Sequence, residues 1–118
     1  MTDDVAITYQ VTAAAGPGDI VSARDFVLVM KSGTKDDIFA RAGCSIEHPS
    51  RPEDAKIVRA WNGPTGITIK SLPNGKCEFR WLMDCDYKGM IPTAVMEIAM
   101  PIAQMEFAQC HRDLAASL

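Results

Sequence analysis

Two cysteines lie beside residues that could assist nucleophilic chemistry. Cys110 is followed by His111, and Cys85 is followed by Asp86, so a thiol, an imidazole base and an orienting carboxylate are all available. Adjacent residues on a helix point about 100° apart, however, which keeps Cys110 and His111 from meeting. No nucleophile or oxyanion motif surrounds either cysteine. The sequence therefore predicts a protein that is not an enzyme.

Metal and disulfide chemistry is equally poorly supported. The four cysteines are widely and irregularly spaced, without a CxxC pair: Cys44, Cys77, Cys85 and Cys110. Only His48 and His111 could supply imidazole ligands. The pattern predicts reduced, mostly buried thiols, with no metal site and no cofactor.

Length and charge limit the function classes further. The chain has 118 residues, of which 47% are hydrophobic and 23% charged, and this is enough for one domain with a core. The net charge of −3 is spread without a basic stripe, which argues against nucleic acid as a partner. The acidic start lacks a signal peptide, and no stretch approaches the roughly 20 apolar residues of a membrane span. A cytoplasmic protein is expected.

The secondary-structure elements that would position the functional residues begin with a series of strands. Alternating or β-branched segments predict about five strands in succession, at residues 5–11, 26–31, 38–47, 57–72 and 77–87. Turn residues at 32–34 and 73–75 separate neighbouring strands, and the Asn-Gly-Pro-Thr-Gly segment at 62–66 predicts a sharp bend within the fourth strand. The sheet is expected to curve there.

One helix is predicted after the last strand. From Pro92 onward, apolar residues recur at spacings of three and four and form one stripe: Met96, Ala99, Met100, Ala103, Phe107, Cys110 and Leu114. A lone amphipathic helix can bury such a stripe only against the sheet, where each fully buried Met or Phe would contribute about 1.5 to 3 kcal/mol. The expected fold class is α+β, a curved antiparallel sheet packed on a long C-terminal helix.

Several short motifs carry a resemblance to a known family. The segment VSARDFV at 21–27 resembles the VSPRDFV signature of StAR-related lipid-transfer (START) domains, and DYKGMIP at 86–92 resembles their DLKGWLP. VRA at 58–60 with NGP at 62–64 is similar to the VRGENGP stretch of sterol-type members. AAG at 14–16 and EHP at 47–49 resemble parts of the two Ω loops. The motifs are individually short, but their order and spacing agree along nearly the whole chain.

The resemblance implies a helix-grip fold in which the sheet wraps the terminal helix and encloses a tunnel for one lipid. It also implies intracellular transfer of a sterol, a phospholipid or a bile-acid-like ligand, with transient membrane contact. A family domain has a helix, several strands and two more helices before the strand at 5–11. Residues 1–118 are therefore expected to form a partial START-like domain without its N-terminal half.

The resemblance also assigns ligand-facing positions. Cholesterol-transferring members carry an acidic residue at the position of Gln10 and an arginine at that of Met30, and neither charge is present here. Joint loss of both charges is self-consistent, because a lone buried charge is costly. Gln10, Thr8 and Arg59 are expected to orient the ligand. On the helix the ligand-facing candidates are Met96, Met100, Ala103 and Phe107, for which a plain core role is the equal alternative.

A gate and a structural pair complete the expectations. By resemblance, the loop containing Ala14, Gly16 and Ile20 gates the tunnel, while the alternative is an ordinary turn. Pro101 within the helix predicts a kink, which either helps the gate or simply follows the sheet. Arg24 and Asp25 are expected to steady the base of the loop through an ion pair or hydrogen bonds rather than to contact ligand.

A second function class remains open from the sequence alone. An exposed apolar sheet edge at residues 5–11 invites pairing with another strand. The chain would then be a truncated START fragment that binds no ligand and acts as a protein-interaction module. A homodimer formed through this edge is one form of that alternative.

Overall fold

The computed structural model describes residues 4–14 and 17–118 of the chain. Within these ranges the elements are β1 (Val5–Thr12), β2 (Arg24–Lys35), β3 (Ile38–Ser45), β4 (Val58–Arg59), β5 (Trp61–Asn62), β6 (Thr65–Ser71), β7 (Cys77–Leu82), β8 (Cys85–Asp86) and α1 (Thr93–Ser117). Single 3-10 turns lie at Pro17–Asp19 and Pro73–Gly75. All strands precede the helix, so the predicted α+β order is confirmed.

The main sheet is built around β2. Its strand order is β1-β2-β3-β6-β7, with each neighbouring pair antiparallel, and the two residues of β4 add a short parallel pairing to β2. The strands β5 and β8 form a separate two-stranded pair. Because β2 has neighbours on both sides, its residues from Arg24 to Leu28 are all buried. The predicted antiparallel sheet is confirmed.

The first hairpin turns later than the sequence indicated. Residues 32–34, expected to form the turn, continue β2 in register with β3, and the chain reverses at Asp36 and Asp37. Their φ angles are 50° and 62°. A two-residue hairpin turn of type I′ has a positive φ at both central positions, and aspartate tolerates this conformation better than most residues. The turn prediction was therefore wrong by a few residues.

The segment 57–72 is not one bent strand. It divides into three pieces with different partners: β4 pairs with β2, β5 with β8, and β6 with β3 and β7. Pro64 lacks an N–H for a sheet ladder, and the N–H of Gly63 donates to the carbonyl of Asp84 at 2.9 Å. The same rearrangement splits the predicted strand 77–87, so that β7 ends at Leu82 and β8 joins β5.

The two faces of the sheet differ in their covering. Phe26, Leu28 and Met30 define the inner face, which lies under α1, while Asp25 and Val27 point to the opposite, outer face. A loop that includes residues 46–53 lies beside Val27 on the outer face. This loop covers the outer face around Val27, whereas Tyr9 and Cys44 on the same face are exposed.

The helix touches the inner face mainly through aromatic rings. The ring of Phe107 lies 4.5 Å from that of Trp81, and the ring of His111 lies 5.9 Å from that of Phe79. No residue of α1 is buried, so the expectation that its stripe is buried was wrong. These bulky rings reach the sheet while the smaller side chains beside them do not, and open space remains between the two layers. No helix in the described ranges combines the length and apolarity needed to span a membrane.

Candidate ligand-binding site

A cavity of about 370 Å³ lies between the inner face and α1, and we call it the inner cavity. Its walls come from β1, β2, β3, β6 and β7, from the β5–β8 pair, and from one helix residue. The lining residues are Gln10, Thr12, Phe26, Leu28, Met30, Arg41, Asn62, Thr65, Gly66, Ile67, Trp81, Met83, Cys85, Tyr87 and Phe107. Most of this surface is apolar, as expected of a site for a small hydrophobic molecule.

Burial at one end of the inner cavity disfavours charge. Burial raises the pKa of the Cys85 thiol to about 11 and the pKa of the Tyr87 phenol to about 12, so both groups are neutral at physiological pH. Tyr87 packs edge-on against Phe26, with ring centroids 6.4 Å apart and planes at 87°. Both side chains pack against the core formed by Phe26, Leu28, Met30 and Ala60, and they give this wall of the cavity an uncharged surface.

Two buried polar atoms near the inner cavity have no hydrogen-bond partner among the described residues. They are the amide oxygen of Asn62, which lines the cavity, and the hydroxyl of Thr8, which lies on the inner face opposite Leu28. An orphan buried polar atom costs about 1 to 3 kcal/mol, so such atoms are rare in finished structures. A ligand hydroxyl could satisfy either atom.

The structure brings together part of the predicted ligand set. Gln10, Met30 and Phe107 all line the inner cavity. Thr8 is not among its lining residues, although the β1–β2 register places it on the same face. Met30 lies over Gly43, where its sulfur is 2.7 Å from the position that a Cβ would take. The missing side chain of Gly43 therefore makes room for Met30.

Other predicted ligand residues lie outside the inner cavity. Met96 and Met100 are half-buried in the first half of α1, and Ala103 is exposed. None of the three is among the lining residues. Arg59 was expected to orient the ligand, and this expectation is corrected. The structure places Arg59 on the outer face, where Asp25 holds its guanidinium.

Asp25 and Arg59 are the centre of a polar cluster on the outer face. The Arg59 guanidinium donates from Nε to Asp25 Oδ1 at 2.8 Å and from Nη2 to Oδ2 at 2.9 Å, and the Tyr9 hydroxyl donates to Oδ2 at 3.1 Å. Arg59 also donates to the carbonyls of Arg51 and Pro52. The bidentate pair, helped by Tyr9, lowers the pKa of Asp25 despite burial. We call Tyr9, Asp25 and Arg59 the outer cluster.

Arg24 is buried beside Asp25 at the start of β2 and links three segments. Its side chain donates to the carbonyls of Tyr87 and Lys88 at 3.1 and 3.2 Å, and to the hydroxyl of Ser22 at 2.8 Å. Its backbone N–H donates to the hydroxyl of Thr12 at 3.2 Å. These contacts tie the loop before β2 to the segment that leads into α1.

Only part of the predicted gating loop lies within the described residues. Ala14 and Ile20 are both exposed, and Ile20 follows the 3-10 turn at Pro17–Asp19. Gly16 lies outside the described residues. The gating role assigned to all three residues stays a prediction.

A second apolar cleft continues from the inner cavity along β6. It has a volume of about 440 Å³, shares Ile67 with the inner cavity and lies beneath the last turns of α1, with Phe79, His111 and Leu114 in its walls. The contact between Trp81 and Phe107 lies between the inner cavity and this second cleft. Together they form an apolar path under the helix.

A cavity on the other side of the sheet is larger than the inner cavity and chemically different. It has a volume of about 600 Å³, lies against the outer face and is lined by the charged residues Glu47, Arg51, Glu53 and Arg59. Arg59 is already paired, and the Arg51 guanidinium lies 4.5 Å from the centre of the Tyr9 ring. In the described ranges no group of three or more His, Cys, Asp or Glu side chains is placed to hold a metal ion. We therefore take the smaller inner cavity as the candidate site.

Sequence reasoning missed several residues of this site. The alternation at 77–87 puts Trp81, Cys85 and Tyr87 on the same face of the predicted strand, which was a usable signal. Asn62 and Arg41 gave no such signal, because a polar residue in a turn or half-buried strand is normally solvated.

A family model described as START domain matches residues 1–116. The steroidogenic acute regulatory protein, mitochondrial, of Danio rerio is 38% identical over 117 residues, which cover 97% of this chain and 40% of that protein. The Gallus gallus protein of the same name is 36% identical over 115 residues, covering 96% of this chain and 41% of that protein. The chain thus spans about two fifths of the length of these curated relatives.

Solved structures agree with the fold. The human StAR-related lipid transfer protein 5 matches with a TM-score of 0.86 and 25% identity, covering 92% of this chain and 52% of the other. Human STARD10 matches with a TM-score of 0.75 and 20% identity, covering 96% and 44%. The predicted helix-grip architecture is therefore confirmed for the portion of the fold that this chain contains.

Proposed function

The chain belongs to the START-domain family, and from this premise we propose that it binds one lipid in the inner cavity and transfers it between membranes. The carrying observation is the space of about 370 Å³ between the sheet and α1, walled by apolar side chains and bordered by Phe107. A sterol-like body is the ligand class we favour within this function. No chemical step on the lipid is part of the proposal.

Affinity would come mainly from apolar burial. Removing apolar surface from water contributes about 25 cal/mol per Å², so a lipid that fills the inner cavity and the adjoining cleft needs few polar contacts. Orphan acceptors such as the amide oxygen of Asn62 would add orientation. Exchange of the lipid requires α1 to move, and its contacts through Phe107 and His111 are few enough to permit this.

Transient membrane contact is also part of the proposal. Ile20 beside the 3-10 turn is 58% exposed, and α1 exposes Ile98 and Met105 more fully. These side chains are available to enter the headgroup region when the helix moves. The expected cytoplasmic location stays a prediction, and the names of several relatives place those proteins in mitochondria.

The experiment that tests lipid binding is native mass spectrometry of the protein purified from the cells that express it. We expect the protein mass plus one lipid, and the mass of the adduct gives its class. A bound lipid should also raise the thermal midpoint in proportion to its free concentration. Bare protein, with no thermal shift in sterols, phospholipids or bile-acid-like amphiphiles, would contradict the proposal.

One observation favours the alternative of an interaction module. β1 is the terminal strand of the main sheet and leaves Ile7, Tyr9 and Val11 exposed. A terminal strand with apolar side chains can pair with a second copy. The same mass measurement distinguishes the two functions, because a dimer without lipid supports the interaction module and a monomer with lipid supports transfer.

A further inference from the structure

We propose that the inner cavity selects an amphiphile that carries a carboxylate, and that Arg41 is the residue that selects it. The inference rests on the proposed lipid-binding function and adds the chemical class of the ligand. It is carried by the presence of one arginine in an otherwise uncharged lining.

Arg41 belongs to the inner face by register. In β3 it lies opposite Ser32 of β2 and opposite Ile67 of β6, and directly opposed residues of antiparallel strands share a face. Ile67 lines the inner cavity, and so does Arg41 itself, whose side chain is half-buried. Arg41 is therefore part of the cavity wall, and its guanidinium is the charged group nearest to hand for a ligand there.

Among the described residues, no carboxylate forms an ion pair with Arg41. The lining residues of the inner cavity include no aspartate and no glutamate, and Arg41 has neither an ion pair nor a side-chain hydrogen bond within the described part of the chain. Arg59 contrasts with it, since it is paired with Asp25, and even the exposed Arg80 is paired with Glu78. An arginine in an apolar wall that no protein carboxylate pairs with is available to the anionic group of a ligand.

The charge complement favours a carboxylate over other lipid groups. The planar guanidinium matches a carboxylate with two parallel hydrogen bonds, whereas a hydroxyl leaves the charge uncompensated. A phosphate monoester would bring nearly two negative charges, and Arg41 is the only cation among the lining residues that the structure describes. One compact monoanion on an apolar body therefore fits best, as in a fatty acid or a steroid acid.

The test compares acids with matched alcohols in equilibrium binding to the delipidated protein at pH 8. One pair is oleic acid and oleyl alcohol, and the other is a steroid acid and the alcohol made by reducing its carboxyl group. We expect the wild type to bind at least one acid about 10- to 100-fold more tightly than its alcohol. The pair with the larger preference identifies fatty or steroid acid as the source of the carboxylate.

Three variants locate the preference. Arg41→Met keeps the length of the stem, and we expect it to lose the preference while binding the alcohol as the wild type does, which also shows that it is folded. Arg41→Lys should retain part of it. The matched control is Lys70→Met, because Lys70 is exposed and lies opposite Ile38 on the outer face, and it should change nothing.

The outcomes separate this inference from the proposed function. Equal binding of acid and alcohol by the wild type, or an unchanged preference in Arg41→Met, would overturn the carboxylate inference while leaving lipid binding intact. Binding of neither acid nor alcohol would overturn both. Loss of the preference in Lys70→Met as well would show a general charge effect and also overturn the assignment to Arg41.

Discussion

The outer cluster and the inner cavity lie on opposite faces of the same strand, β2, and they are finished to different degrees. On the outer face both oxygens of the Asp25 carboxylate accept hydrogen bonds, and Arg59 has four contacts at or below 3.2 Å. On the inner face Asn62 and Thr8 have polar atoms without partners, and Arg41 has no counter-ion within the described residues. The polar side chains of the outer cluster are paired within the chain, and those named on the inner face are not.

This difference separates a face whose polar groups are paired within the chain from a face that is left open, which is where the proposed function places the ligand. Burying polar groups without partners lowers stability, so such groups persist where function requires them. The paired charges of the outer cluster need nothing from outside the chain. The inner cavity has an apolar wall, the orphan amide oxygen of Asn62 and a helix with no buried residue, and a bound molecule would cover all three.

The largest expected effect is on the outer cluster. Asp25→Asn leaves the guanidinium of Arg59, whose side chain is only 12% exposed, without a counter-charge. Breaking a buried pair on one side is costly, and we expect the free energy of unfolding in urea to fall by about 3 kcal/mol. The control is Glu78→Gln, which breaks an exposed pair and should cost less than about 0.5 kcal/mol. Equal effects would show that the outer cluster is not a stabilising centre.

The same variant predicts a pH dependence. Because Arg59 lowers the pKa of Asp25 in the folded state, the stabilisation is present above the ordinary aspartate pKa of about 4 and is lost as the pH falls through the lower folded value. The stability difference between wild type and Asp25→Asn should thus be constant above about pH 5 and shrink below about pH 4. A difference that does not shrink on acidification would mean that charge is not the cause.

Cysteine reactivity gives the next largest contrast. A pKa raised by burial to about 11, two units above its ordinary value, leaves the Cys85 thiol about 100-fold less ionised near pH 8 than an unperturbed thiol. Cys44 is exposed and lies opposite Val29 on the outer face. Iodoacetamide followed by mass spectrometry should therefore modify Cys44 long before Cys85.

Ligand sharpens this contrast. Cys85 lines the inner cavity, so a bound lipid should slow its alkylation further while leaving the rate at Cys44 unchanged. Equal protection of both thiols would mean that the ligand acts on global stability rather than in the inner cavity.

The helix contact ranks third. Phe107→Ala removes the ring that stacks on Trp81 at 4.5 Å, and we expect α1 to lose about 2 kcal/mol of its attachment to the sheet. Amide exchange in α1 should quicken, while exchange in β2 stays as it was. Ile98→Ala is the matched control, because Ile98 is 68% exposed on the same helix. Equal changes in both variants would show that the aromatic contact does not hold α1.

Sequence reasoning reached the architecture because that information is local and periodic. Alternation along β1 and β7, and spacings of three and four after Pro92, fixed the order of elements and the placement of a helix against a sheet. The hairpin at Asp36 and Asp37 was missed because glycine at position 33 was the stronger turn signal, although only the register with β3 decides the turn.

The site was less accessible from sequence because its contacts are long-range. Arg59 was assigned to the ligand, but its partner Asp25 is 34 residues away, and only the parallel pairing of β4 with β2 brings them together. Asn62 and Arg41 enter the inner cavity for the same kind of reason. Neither the local sequence pattern nor the composition reveals which residues pair between strands that are far apart in the sequence.

The smallest expected effect has the opposite sign. Thr8→Val replaces an orphan buried hydroxyl with a methyl group of similar volume, so without ligand we expect the free energy of unfolding to rise by about 1 kcal/mol. Thr12 is the matched control on the same strand and face, because its hydroxyl bonds both the N–H and the carbonyl of Arg24. Thr12→Val should cost about 1 kcal/mol. If both variants lose stability, the hydroxyl of Thr8 is satisfied in the folded protein, and the inner face is more complete than its contacts indicate.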